Sequence, residues 1–309
     1  DPYQLGNSAV IRLFSRIVMP MSLEEYRVAQ RFMVAKMQQK HTKGNEGVEV
    51  LENRPFEDET FGKGQYTSKI YRLRSKVPTW LTTFAPADAL IIEEEAWNAY
   101  PKCKAGLPKS ALYITSQFVF VLKCPYFTKF SLTIETVYVG NKGQLENVHN
   151  LNEEQLAARK VEFLDIALPA KDSWSYVVGA SSIDFSRFKS AKSGRGPLTV
   201  GWQDRCDPVM TAYKLVTIDA PYWGFGYRLE QALLAVLFLG LCGERALFLE
   251  GHRNCFGWID EWFGMTLEQV FELEQQIITS LNQQIRNPKN EDEEEDPDLE
   301  CEADNEAKS

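Results

Sequence analysis

Residues 62–81 read GKGQYTSKIYRLRSKVPTWL. The β-branched and aromatic content of the run predicts a strand, and side chains in a strand alternate between faces. One face is therefore Gln65, Thr67, Lys69, Tyr71 and Leu73, polar at one end and apolar at the other. A strand that only closes a core needs apolar residues throughout, and a solvated face needs none in particular. A gradient suits a ligand that is itself polar at one end. Pro78 then breaks the strand and leaves Trp80 and Leu81 in an exposed loop.

Working outward, VIRLFSRIVM (10–19) reads as a short strand, and SLEEYRVAQRFMVAKMQQK (22–40) as a helix opened by a Ser-x-x-Glu capping box at Ser22 and Glu25. ADALIIEEEAWNAYP (87–101) reads as a short helix ended by Pro101, with Glu93, Glu94 and Glu95 as its solvated face. FTKFSLTIETVYVG (127–140) is the clearest alternating strand, with Phe130, Leu132, Ile134, Thr136 and Tyr138 on one mostly apolar face. QLENVHNLNEEQLAARK (144–160) is loop then helix, VEFLDIA (161–167) a strand, FKSAKSGRGPL (188–198) a basic loop and AYKLVTID (212–219) a strand. TLEQVFELEQQIITSLNQQIRN (266–287) is a strong C-terminal helix, with Thr266 and Gln269 as its capping box. Strands with a few long helices, one of them C-terminal, predict an α+β domain in which a curved sheet grips a long helix.

With 44% hydrophobic residues in 309, the chain builds a sizeable core. Its net charge of −9 is local: removing the eleven acids and two lysines of residues 287–309 from 43 acids and 34 bases leaves 32 of each. A balanced body lacks the basic footprint of a duplex-binding domain, so no nucleic-acid partner is expected. The acidic stretch 287–309 is expected to be a disordered tail, because it cannot bury enough apolar surface to order itself. Six scattered cysteines without a CxxC pair, and no apolar signal-peptide core in DPYQLGNSAV, predict a reduced, cytoplasmic protein. With three histidines and no Cys/His cluster, no metal site and no cofactor are expected. ALLAVLFLGLCG (232–243) is too short to span a bilayer, which takes about 20 residues, so it is either a buried helix or a surface that dips into a membrane.

Catalytic signatures fail. Gly62-Lys63-Gly64 is not a phosphate loop, Gly194-Arg195-Gly196 lacks the dinucleotide spacing, and GxSxG, HExxH and kinase-loop motifs do not occur, so no catalytic residue is assigned. What stands out instead are polar groups set into apolar surfaces. Glu274 falls in the stripe of Leu267, Val270, Ile277 and Leu281, where it either reaches water at a rim or finds a partner. Lys214 shares a face with Ala212, Val216 and Ile218, where it either snorkels at an edge or is placed for a ligand. With Thr67, Lys69 and Thr136 they suggest an apolar cavity furnished with a few polar groups.

The segments EYRVAQRF, GVEVL, GQYTSKIYRLRSKVPTW, EEEAWNAYP, FSLTIETVY, ENVHNL, FKSAKSGRGPL, AYKLVTI and WIDEW follow one another in the order, and nearly the wording, of the phosphatidylinositol transfer proteins. The resemblance runs from about Ile11 to Ile285 and resembles the single-domain class I members. It implies a START-like helix-grip fold, a mainly antiparallel curved sheet around the C-terminal helix, enclosing one phospholipid. On that pattern residues 1–10 are an N-terminal extension, 11–286 the lipid-binding domain and 287–309 the tail.

The resemblance also implies roles. Thr67, Lys69, Asn98 and Glu274 would hold the inositol headgroup, and Gln30, Thr136 and Lys214 would lie near the phosphate, with Cys103 in the headgroup vicinity. Residues 76–90 would be the lipid-exchange loop, and Tyr222 and Trp223, with Trp80 and Leu81, would dock to a membrane. Ser190 matches a regulatory phosphorylation position. The implied activity is non-enzymatic: a cytoplasmic, peripherally membrane-associated monomer that exchanges phosphatidylinositol and phosphatidylcholine between membranes. The alternative is a phosphoinositide-presenting or lipid-sensing module without net transport. Three departures stand out: Ala105 in place of a headgroup-contacting threonine, and two apolar additions, YITSQFVFVL within 110–122 and ALLAVLFLGLCG at 232–243. Each addition is either a gene-model artefact that leaves the chain poorly folded or a stronger membrane contact.

Overall fold

The protein is described from a computed structural model, over residues 9–42, 47–58, 62–72, 91–102, 115–124, 127–168, 183–220 and 246–286. Among these, eight strands form one sheet: β1 (Ala9–Met19), β2 (Gly47–Asp58), β3 (Gly62–Arg72), β4 (Ile91–Lys102), β5 (Thr115–Cys124), β6 (Phe127–Val139), β7 (Lys160–Leu164) and β8 (Met210–Ala220). Their order is β2-β3-β4-β5-β6-β8-β1-β7. Strands β2 to β6 run as an antiparallel meander, β8 and β1 continue antiparallel, and only β7 joins parallel, against β1. The architecture is α+β and mostly antiparallel.

Helix α1 (Leu23–His41) starts where the capping box predicts: Glu25 N–H donates to Ser22 Oγ at 3.2 Å, and Ser22 N–H to Glu25 Oε2 at 2.7 Å. Short helices α2 (Glu153–Ala158) and α3 (Trp202–Arg205) lie in the connections. A helix over 246–257, α4, is followed by one turn, α5 (Ile259–Trp262), and by the long α6 (Leu267–Arg286). The entry to α6 is the second predicted capping box, with Gln269 N–H on Thr266 Oγ1 at 3.2 Å and Thr266 N–H on Gln269 Oε1 at 2.9 Å.

The main core lies between one sheet face and the helices α1, α4 and α5. Ile17, Met19, Ala29, Phe32, Tyr138, Ala212, Phe256 and Trp262 are all buried in it. Fully burying an Ile, Met or Phe side chain of this kind contributes about 1.5–3 kcal/mol. A smaller cluster of Phe14, Val139 and Tyr213 packs on the opposite face, with Leu145 and Val148 of the loop after β6. Helix α6 packs on α1 through Leu273, Ile277 and Leu281 against Ala35. It also guards the edge strand β2: the Asn282 amide donates to Val50 O at 2.9 Å and accepts from Val50 N–H at 3.0 Å. One side chain thus takes the place of a further strand at this edge among the described residues.

One expectation is overturned here. Residues 91–102 are strand β4, not a helix, and ladder bonds to β3 and β5 on both sides hold them extended. Pairing on two edges outweighs the helix preference of a Glu-rich run, which is only tenths of a kcal/mol per residue. Within the first apolar addition, Thr115–Cys124 is an interior strand paired with β4 and β6. The apolar run 232–243 and the tail 287–309 lie outside the described residues.

Candidate functional site

The strand registers carry one line of positions straight across the sheet. Gln65 of β3 pairs with Asn98 of β4, Asn98 with Phe118 of β5, Phe118 with Thr136 of β6, Thr136 with Lys214 of β8, and Lys214 with Ser15 of β1. A second line, two residues along, passes through Thr67, Ala96, Ile134 and Val216, and a third through Lys69, Glu94, Leu132 and Ile218. Directly paired residues share a face. The sheet therefore puts Thr67, Lys69, Asn98, Thr136 and Lys214 on one and the same face. Around them Ala96, Leu132, Ile134, Val216 and Ile218 are buried, which makes that face apolar with polar groups set into it.

Two clusters result. At the β3/β4 end, Lys69 Nζ lies 3.4 Å from Glu94 Oε1, with side chains 12% and 2% exposed. The Tyr71 hydroxyl donates to the other oxygen, Glu94 Oε2. Burial and the facing carboxylate raise the Tyr71 phenol well above its usual range, so it stays a proton donor. Next along the face, Gln65 donates to Asn53 Oδ1 at 2.6 Å. The predicted gradient of this strand is modified: Tyr71 ends on a carboxylate, and Leu73 lies outside the described residues.

At the β6/β8 end, Lys214 Nζ donates to Thr136 Oγ1 at 3.2 Å and sits 4.5 Å over the Phe248 ring. Lys214 is only 7% exposed, so it neither snorkels to solvent nor occupies an edge. Gln30 of α1 donates to the Tyr138 hydroxyl at 3.0 Å, and the Tyr138 ring lies 5.0 Å from that of Tyr26. The Tyr26 hydroxyl meets His252 Nε2 at 3.0 Å, while His252 Nδ1 lies 2.6 Å from Phe248 O. A carbonyl only accepts, so Nδ1 carries the proton and Nε2 accepts from Tyr26. Burial, with Lys214 close by, lowers the imidazole to about 3, which keeps it neutral. Tyr26, Tyr138 and His252 extend this cluster beyond the residues the sequence pointed to. No motif spacing links residues on α1, β6 and α4, and only their packing does.

Glu274, in the stripe of α6, has found a partner: Arg31 Nη1 of α1 at 2.9 Å, with the Glu274 side chain 20% and the Arg31 side chain 11% exposed. The structure thus brings Lys69 beside Glu94 and Lys214 beside Thr136, but the two lysines stand four strand steps apart, about 19 Å along the sheet. Asn98 and Thr136 are two steps apart, about 10 Å.

Glu94 is the residue sequence reasoning misplaced. Assigned to the solvated face of a helix, it is a buried strand residue facing Lys69, while Glu93 is exposed and Glu95 accepts from the Tyr66 hydroxyl at 3.2 Å. The period-two pattern Glu94, Ala96, Asn98 was the available signal. Ser190 is 2% exposed, and its hydroxyl donates to Asp260 Oδ1 at 2.5 Å. The Ser190 bond, together with the backbone N–H groups of Lys192 and Ala191 on the same carboxylate, draws Asp260 below its usual carboxylate range. Trp80, Leu81, Cys103, Ala105, Tyr222 and Trp223, and the loop 76–90, lie outside the described residues. Among the described residues no group of three or more His, Cys, Asp or Glu is arranged to hold a metal ion. No helix there is long and apolar enough to cross a membrane.

A mostly antiparallel α+β fold with cationic and hydroxyl groups set into one apolar sheet face defines a class of protein suited to an amphiphile. The model of the phosphatidylinositol transfer protein family matches residues 10–279, and the chain belongs to that family. It is 38% identical over 276 residues to phosphatidylinositol transfer protein 2 of Dictyostelium discoideum, covering 89% of this chain and 96% of that one. It is 40% identical over 269 residues to phosphatidylinositol transfer protein 1 of the same organism, covering 85% and 92%. Against cytoplasmic phosphatidylinositol transfer protein 1 of Drosophila melanogaster the identity is 36% over 272 residues, covering 88% and 90%. The family is one of lipid carriers rather than enzymes.

Proposed function

We propose that the protein binds one phosphatidylinositol or phosphatidylcholine in an internal cavity and exchanges it between membranes, as a cytoplasmic monomer in transient contact with the bilayer surface. The observation that carries this reading is the single sheet face on which Thr67, Lys69, Asn98, Thr136 and Lys214 sit among buried apolar residues. Family membership and the names of the relatives support it.

In this reading Thr67, Lys69, Asn98 and Glu274 hold the inositol ring, and Gln30, Thr136 and Lys214 hold the phosphate. In this reading the sheet curls around α6, in the manner of a START-like helix-grip fold, to bring Lys69 and Lys214 to one headgroup. Moving a diacyl lipid bare through water would expose roughly 30 methylenes, on the order of 25 kcal/mol. An apolar chamber that replaces the bilayer before the chains leave it removes most of that cost. Transfer then becomes a near-balanced exchange in which Tyr222, Trp223, Trp80 and Leu81 make the membrane contact.

Choline cannot reproduce the hydrogen bonds of ring hydroxyls. Thr67→Ala or Lys69→Ala is therefore expected to slow phosphatidylinositol transfer about 5- to 150-fold, the equivalent of about 1–3 kcal/mol per unpaired group, while sparing phosphatidylcholine. Mass spectrometry of lipids that co-purify with the full chain, followed by a two-vesicle transfer assay of both lipids, tests the reading. Equal loss of both activities in the variants removes these residues from the ring site. Bound lipid without net transfer would instead indicate a lipid-presenting module.

A further inference from the structure

The pairing at the β3/β4 end is odd for a site meant to attract an anionic lipid. Lys69 is a lysine of the candidate face, yet Glu94, 2% exposed, lies 3.4 Å from its ammonium. Both carboxylate oxygens are engaged, one by Lys69 and one by Tyr71. Beside them on the same face, Val48 and Val50 of β2 pair with Tyr71 and Lys69 and are both buried. A carboxylate taken out of water at this depth is costly unless paired, and it cancels the charge of the lysine it pairs with. Lys69 alone would serve any anion better.

The chemistry that fits the Lys69 end is a neutral polyol. Ring hydroxyls can accept from the ammonium and donate to the carboxylate at once, so each meets a partner of the matching kind. A ring bearing a phosphomonoester brings close to two negative charges to a spot already balanced, with a buried carboxylate behind it. Resting on the lipid-carrier reading above, we propose that Glu94 is the specificity-determining residue of this end of the site: by neutralising Lys69 it admits an uncharged polyol ring and turns away a ring that carries a phosphate. This is discrimination by an introduced repulsion rather than by an added attraction.

The test uses the full chain and donor vesicles carrying tracer phosphatidylinositol, phosphatidylcholine or a phosphatidylinositol monophosphate. The wild type is expected to move the monophosphate at least about tenfold more slowly than phosphatidylinositol. Glu94→Gln frees the ammonium and is expected to close that gap to within about threefold. The double variant Lys69→Gln/Glu94→Gln should lose the new acceptance, because acceptance works through the freed lysine. Glu94→Asp keeps the charge and should keep the discrimination. An unchanged monophosphate-to-phosphatidylinositol ratio in Glu94→Gln, or acceptance that survives in the double variant, overturns the proposal. Should Glu94→Gln fail to fold, the wild type and Glu94→Asp decide: equal transport of both lipids by either one overturns it. A wild type that moves no phosphatidylinositol at all defeats the carrier reading instead, so the two failures are distinct.

Discussion

Lowering the pH should cost this fold stability through one residue in particular. His252 is 4% exposed, its Nδ1–H is given to Phe248 O, and its Nε2 accepts from Tyr26. Burial lowers the imidazole from its ordinary 6.5 to about 3. The unfolded chain therefore takes up a proton that the folded one refuses, and the stability present above pH 6.5 is lost as pH falls toward 3. Between pH 7 and pH 5 the loss from this group is about 2 kcal/mol, and it continues to grow as the pH approaches 3. Urea denaturation of the wild type and of His252→Gln at both pH values isolates the effect. The variant is neutral throughout and keeps an acceptor for Tyr26. It should be weaker at pH 7 by about 1 kcal/mol, for the bond to Phe248, and should lose about 2 kcal/mol less on acidification. Other titrations, including His149, lowered to about 4 chiefly by burial, and Glu135, raised by burial, cancel in the comparison. Equal acid losses in the two proteins would refute a neutral buried His252.

Further outcomes follow from other particulars. Asn282→Ala removes both bonds to the Val50 backbone and should cost about 1–3 kcal/mol in denaturation, with faster amide exchange at Val50. Gly196→Ala should destabilise by at least about 1–3 kcal/mol, since φ is +89° there and a Cβ would meet Phe188 O at 2.2 Å. Tyr222→Ala with Trp223→Ala should weaken vesicle binding in a flotation assay while leaving co-purified lipid in place. Unchanged binding removes the pair from the interface.

Much of the fold could be read in the sequence wherever the signal was local. The capping boxes at Ser22/Glu25 and Thr266/Gln269 act over one helical turn and both form as written. The alternation of Leu132, Ile134, Thr136 and Tyr138 fixed the buried face of β6, since a strand has only two faces to choose between. Residues 91–102 could not be read this way. Their acid run suits a helix on its own terms, and only flanking ladders on β3 and β5 pull it straight.

The candidate site divides along the same line. That Lys214 and Glu274 interrupt apolar patterns was visible in the chain, because period and polarity are local properties. Which partner answers each charge was not. Thr136 answers Lys214 across 78 residues, Arg31 answers Glu274 across 243, and Glu94 answers Lys69 through a register set by the whole meander. A sequence states which groups need a counterpart, because burying a lone charge is costly whatever the fold. Only the closed tertiary structure chooses the counterpart, since hydrogen bonds and ion pairs act over a few ångströms and distance along the chain says nothing of distance in space.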